Sequence, residues 1–139
     1  MGIAGQHIRS LQHIDYIMRE DPEKYIDEID IKKIEDNVKK LKLDPGEEII
    51  HVLAQEYKVD NESNILKPQG MCGSKLEANF HVVTGQIAAV NNITRCVADS
   101  SLEVSSIHLE PLASSSAVLS DEELDAGVFW LIWEGVQQI

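Results

Sequence analysis

The sequence predicts an α+β fold, and three observations carry the prediction. Two segments, Glu48 to Val59 and Lys75 to Val82, alternate residue types at the two-residue period of a half-buried strand. Ahead of them, Ile31, Ile34, Val38 and Leu41 recur at spacings of three, four and three, one apolar stripe at helical period. From Thr84 onward the pattern changes to helix, strand, helix, the texture of part of an α/β sheet rather than of a closed domain.

Each element has its own signal. Ile3 to Ile8 alternates apolar and small residues and predicts a short strand. Met18 to Lys24 is polar and holds the turn signal Asp21-Pro22. The helix has Asp27 or Asp30 as its N-cap, and Lys39, Lys40 and Lys42 suit its negative end. Asp44-Pro45-Gly46 stops it. In the strand that follows, Ile49, His51, Leu53, Gln55, Tyr57 and Val59 share one predicted face, with Ile50 and Val52 on the other. Asn61 to Gly70 is turn-rich and closes on Lys67-Pro68-Gln69-Gly70. The next strand sets Leu76, Ala78, Phe80 and Val82 against Lys75, Glu77, Asn79 and His81. These two strands suit an antiparallel pair with the helix on one face.

In the second half, Thr84 is expected to cap a helix through Ile87, Val90, Ile93 and Val97. A strand is expected around Leu102 to Leu109, then a small-residue helix opened by Pro111 and running through Ala113, Ala117, Val118 and Leu119. Ser120 and Glu123 have capping-box spacing, and Val128 begins a possible strand.

Composition narrows the function classes. Over 139 residues, 43% hydrophobic and 26% charged residues are globular proportions. Acidic residues outnumber basic ones 24 to 12, a net charge of −12 that argues against nucleic-acid binding, which rests on Lys and Arg. No window of about 18 to 20 apolar residues offers a transmembrane span. The start Met1-Gly2-Ile3-Ala4-Gly5-Gln6-His7 has neither a signal-peptide pattern nor the Ser or Thr that myristoylation favours at position six. Cys72 and Cys96 fit reduced thiols of a cytoplasmic protein, with a single disulfide as the alternative.

Candidate chemistry thins out on inspection. The histidines His7, His13, His51, His81 and His108 show no zinc-motif spacing, and no Cys-x-x-Cys occurs. Neither cysteine has a marked base to activate it. Gly70-Met71-Cys72-Gly73-Ser74-Lys75 falls short of a phosphate loop and leads into a strand, so it reads as a turn. Asp121-Glu122-Glu123 reads as the first turn of a helix. No catalytic, cofactor-binding or metal-binding residue is therefore expected. One alternative is an independent small-ligand module on the strand face of His51, Tyr57 and His81.

Four ordered blocks add a resemblance. They are Gly2-Ile3-Ala4-Gly5-Gln6-His7-Ile8-Arg9-Ser10, Ile50-His51-Val52-Leu53-Ala54-Gln55-Glu56-Tyr57, the stretch from Gly73 to Gly85, and Leu102 through Leu109-Glu110-Pro111-Leu112-Ala113-Ser114. Together they closely resemble the bacterial actin-like cell-division family FtsA, which often carries proline where this chain has Ala54. The resemblance implies a strand–helix–strand–strand (SHS2) subdomain, 1C, over residues 1–83. Residues 84–128 would then be part of the actin-like, ribonuclease H-like α/β subdomain 1A. It implies self-association between FtsA-like protomers and contacts with other division proteins, rather than catalysis. In that family the whole protein tethers the FtsZ ring to the cytoplasmic face of the inner membrane at the division site.

The family's N-terminal phosphate loop, domain 2 lobes and amphipathic membrane helix have no counterpart in these 139 residues. ATP and magnesium are thus expected only of the full-length family member, where an actin-like ATP-binding function is the alternative reading. FtsZ is expected only through domain 2, and direct membrane contact is not expected of this segment. Interface residues are not assignable from sequence; strand edges and the first helix are the candidates.

The last residues depart from the family. Where it shows Asp-x-Gly-Gly-Gly-Thr-Thr-Asp, residues 129–139 carry Phe129, Trp130 and Trp133, three of the chain's seven aromatics. A back-translation of this tail, read two bases on, gives Leu-Val-Asp-Met-Gly-Gly-Gly-Thr-Thr-Asp. The hypothesis is a single-base loss in a run of T, with a real amphipathic C-terminal strand as the alternative. Codons in the coding DNA that do not regenerate the loop would refute it.

Overall fold

The computed structural model describes residues 1–127. Elements run β1 (Gly2–Ile3), β2 (Ile8–Met18), α1 (Glu28–Lys39), β3 (Glu47–Val59), β4 (Glu62–Ile65), β5 (Lys75–Gln86), α2 (Ile87–Asp99), β6 (His108–Leu109), α3 (Glu110–Val118) and α4 (Asp121–Ala126). The α+β expectation holds. The predicted strand at Val128 and the predicted frameshifted tail lie outside the described residues.

Strands β2, β5, β3 and β4 form an antiparallel sheet in that spatial order, so β2 and β4 are its edges. Helix α1 covers one face. Asp27 is its N-cap, accepting from the Ile29 and Asp30 amides, and Glu28 and Asp30 place negative charge in the first turn. Ile31, Ile34 and Val38 turn inward and meet Tyr57 and Val59 of β3 and Leu76, Ala78, Phe80 and Val82 of β5. Leu41 falls beyond the last turn, because the helix closes at Lys40.

The central strand β5 reads as its alternation predicts and continues to Gln86, where Thr84 is buried within the strand. Thr84 therefore caps nothing. β5 extends because Ile8 and Glu48 both pair with Gly85 at its end, one from each side. Helix α2 starts at Ile87, whose N–H reaches the Gly46 carbonyl at 2.9 Å, and Gln86 at its N-cap makes no side-chain cap bond.

Three further expectations change. The first sheet strand is Ile8–Met18, not Ile3 to Ile8; a turn at Gly5 (φ +111°) separates it from β1. In β3, two bulges, at Ile50 and Gln55, each add a residue and invert the alternation. Ile49, Val52, Tyr57 and Val59 face α1, whereas His51, Leu53, Glu56 and Lys58 face away. Of the strand expected around Leu102 to Leu109, only β6 forms, parallel to β1. The Pro111 helix and the Ser120–Glu123 capping box form as expected.

A candidate interaction surface on the uncovered sheet face

The sheet face opposite α1 is built by alternation. β2 contributes Gln12, Ile14, Tyr16 and Met18; β5 contributes Lys75, Glu77, Asn79 and His81; β3 contributes Leu53, Glu56 and Lys58. On β2 the usual sorting holds for Leu11 and Ile17, which pack against the core, but breaks elsewhere along the strand. Ile14, Tyr16 and Met18 are 62%, 54% and 65% exposed, while His13 and Asp15 sit half-buried on the helix side. A strand whose apolar residues point to solvent is an interaction signal rather than a packing one.

Polar contacts organise the middle of this face. The Lys75 ammonium donates to Glu77 at 2.9 Å and lies 4.5 Å from the centroid of the Tyr16 ring. The Glu77 hydrogen bond holds the Lys75 pKa above its ordinary value, and the same bond pulls Glu77 down. Gln12 donates to Gln55 at 3.4 Å. Asn79 Oδ1 and His81 Nδ1 are buried with no hydrogen-bond partner among the described residues.

At one end the face meets β6. His51 Nε2 accepts the Leu109 N–H at 3.0 Å, and the His51 and His108 rings stack with centroids 5.8 Å apart. Burial, and secondarily His108, lowers the His51 pKa. Between this end and β2 lies a cavity of about 290 Å³ lined by Ile8, Ser10, His81, Val83, Leu109 and Pro111.

Opposite the face, the loops are locked. The Arg19 side chain, 4% exposed, donates to Asp30 at 3.0 Å and to the Gly73, Lys24 and Tyr25 carbonyls. The glycine segment is committed as well. Gly70 N–H donates to Ile26, Gly73 N–H to Pro22, and the Ser74 and Lys75 amides to the Asp60 carboxylate. Those amides have partners already, so the segment works as a turn and not as a phosphate cradle.

The strand-face ligand module is corrected by the bulges. Tyr57 is 8% exposed and lies in the core under α1, on the opposite side of the sheet from His51 and His81. His51 and His81 share a face but do not oppose one another, since His51 pairs with Val83 and His81 with Leu53. Among the described residues no three His, Cys, Asp or Glu side chains gather to hold a metal. Cys72 and Cys96 are both free and exposed. No helix among those residues is long and apolar enough to cross a membrane.

Sequence reasoning missed Ile14, Tyr16 and Met18. Their two-residue spacing was a visible strand signal, obscured because His13 and Asp15 occupy the inward positions between them.

The strand–helix–strand–strand arrangement around this face has a known counterpart. Residues 5–84 match the family model described as the SHS2 domain inserted in FtsA. The chain belongs to the FtsA family of cell-division proteins. It is 40% identical over 128 residues to the cell division protein FtsA of Pseudomonas aeruginosa, covering 92% of this chain and 30% of that protein. The FtsA proteins of Neisseria meningitidis serogroup B and Borreliella burgdorferi are 35% and 33% identical over 91% and 93% of the chain. The chain thus spans about 30% of the length of these curated relatives.

Proposed function

We propose that this chain is a non-catalytic protein–protein interaction region of an FtsA-like division protein. Its work is self-association with FtsA-like protomers and contact with other division proteins. The FtsA match supports the setting, and the apolar row Ile14, Tyr16 and Met18 on an uncovered sheet face carries the mode of action. Large exposed apolar side chains in one row on an open sheet face, flanked by the Lys75–Glu77 pair, suit a protein surface better than a small molecule.

The whole family protein, on this reading, tethers the FtsZ ring to the inner membrane from its cytoplasmic side. Domain 2 meets FtsZ, and ATP with magnesium belongs to the full-length actin-like body. This segment is proposed to hold neither nucleotide nor nucleic acid and to make no direct membrane contact.

The test is capture of full-length FtsA by this chain, compared with Tyr16→Glu. Because Tyr16 is 54% exposed, the substitution leaves the fold intact by circular dichroism and reduces capture at least about tenfold, the loss of a modest hot spot. Equal capture by the folded variant would place the interaction elsewhere. Nucleotide turnover by the purified chain would remove the non-catalytic reading.

A further inference from the structure

The edge strand β2 carries an inference that rests on the self-association reading and names its surface. In β2 the odd-numbered residues turn their backbone groups toward β5: the Arg19 N–H just beyond it reaches Ser74, and the Gln86 N–H reaches the His7 carbonyl. Antiparallel alternation then turns the N–H and C=O of Ser10, Gln12, Ile14, Tyr16 and Met18 outward, along an edge without a neighbouring strand among the described residues. Among the described residues, only the Tyr16 N–H has a contact there, to the Asp15 carboxylate at 2.8 Å. A groove of about 730 Å³, lined in part by Tyr16, Met18, Lys33 and Asn37, runs beside the same edge next to α1 and leaves room for another strand.

We infer that this edge pairs antiparallel with the same edge of a second copy of the chain, with Ile14 opposite Ile14 at the two-fold axis. The sequence of β2 is self-complementary in that register. On the uncovered face, Gln12 meets Tyr16 and Ser10 meets Met18, and the two Ile14 side chains lie at the centre between both tyrosines. On the helix face, Leu11 meets Ile17, and His13 meets Asp15 twice. The Asp15 carboxylate thereby gains a cationic or hydrogen-bonding partner as its contact to the Tyr16 amide gives way to a ladder bond.

Neighbouring registers are poorer. Centring on His13 sets Leu11 against Asp15 and Arg9 against Ile17, with two histidines face to face. Centring on Gln12 sets Leu11 against His13, leaves Met18 unpaired, and moves Ile14 away from the axis. Of these three registers, the Ile14 register alone sets an apolar pair (Leu11 and Ile17) beside an acid–base pair (His13 and Asp15) on the helix face, with apolar Ile14 at the axis. The product is an eight-stranded sheet with both α1 helices on one side.

Disulfide trapping in the full chain, with Cys72→Ser and Cys96→Ser as background, reads the register directly. At the axis, Ile14→Cys brings two Cα atoms to about 5.5 Å, within disulfide reach. His13→Cys leaves them about 8 Å apart and Gln12→Cys about 14 Å, both too far. We expect a dimer in sedimentation, strong trapping at position 14 alone, and a folded monomer for Ile14→Asp. A dimer that traps best at 12 or 13, or at none of the three, overturns the register and leaves self-association standing. A wild-type chain that stays monomeric across a dilution series overturns both.

Discussion

The described chain contains two regions that use their apolar residues differently. From β2 to β5 a sheet and one helix close a core in which Ile34, Val38, Leu76, Phe80 and Val82 are wholly buried. From α2 onward only Val90 is buried, Ile87 and Ile93 are 37% and 40% exposed, and α3 buries nothing. Elements of similar length and regularity thus contribute unequally. What separates them is a facing layer: α1 lies on the sheet, while among the described residues α2 has few partners beyond the end of β5.

Substitutions break this comparison in order of size. Phe80→Ala removes a wholly buried ring and is expected to cost about 3–5 kcal/mol. Ile93→Ala, on the partly exposed helix, should cost under about 1 kcal/mol. Urea unfolding checks both, and equal losses would mean that one core spans the two regions. Next comes Arg19→Ala, which strands Asp30 (15% exposed at its side chain) and three carbonyls. Leaving one partner of a mostly buried pair costs about 3 kcal/mol, read by the same method. Arg19→Lys should recover only part of that, because an ammonium cannot reproduce the planar fork.

The same division decides what was legible in the sequence. α1 and β5 announce themselves because each has one wet and one dry face, so periodicity equals burial. β3 misleads: its alternation is regular on paper, yet bulges at Ile50 and Gln55 move Tyr57 to the core side and leave His51 on the other. Bulges carry no reliable residue signature, and here Gly85 helps one form, since a Cβ there would stand 2.5 Å from Ile50 Cδ1. The β2 row was hidden for a different reason. Ile14, Tyr16 and Met18 face solvent, while His13 and Asp15 separate Leu11 from Ile17 on the helix side, so no buried stripe stands out. The absence of catalytic chemistry was an expectation from spacing; the surface required three-dimensional placement of Ile14, Tyr16 and Met18.

The smallest expected effect lies where the two regions touch. His51 of β3 accepts the Leu109 N–H through Nε2, which only a neutral ring with its proton on the other nitrogen can do. His108 of β6 stacks on the ring, and the strand neighbour Val83 of β5 offers no counter-charge; the Arg9–Glu47 pair belongs to the helix side of the sheet. Burial first and His108 second lower the His51 pKa below its ordinary 6.5. The separated state therefore binds the proton more readily. The stabilisation of this contact is complete above about pH 6.5 and is lost as pH falls through the lowered folded pKa. Leu109 amide exchange, corrected for intrinsic rates, should lose protection as pH falls below about 6.5 and through the lowered His51 pKa, while β5 amides keep theirs. His51→Gln, whose carbonyl can accept without titrating, should flatten the profile. His108→Gln should keep it but move its midpoint upward. A wild-type profile independent of pH would mean that packing around Ile3 and Leu109, and not the His51 bond, holds the two regions together.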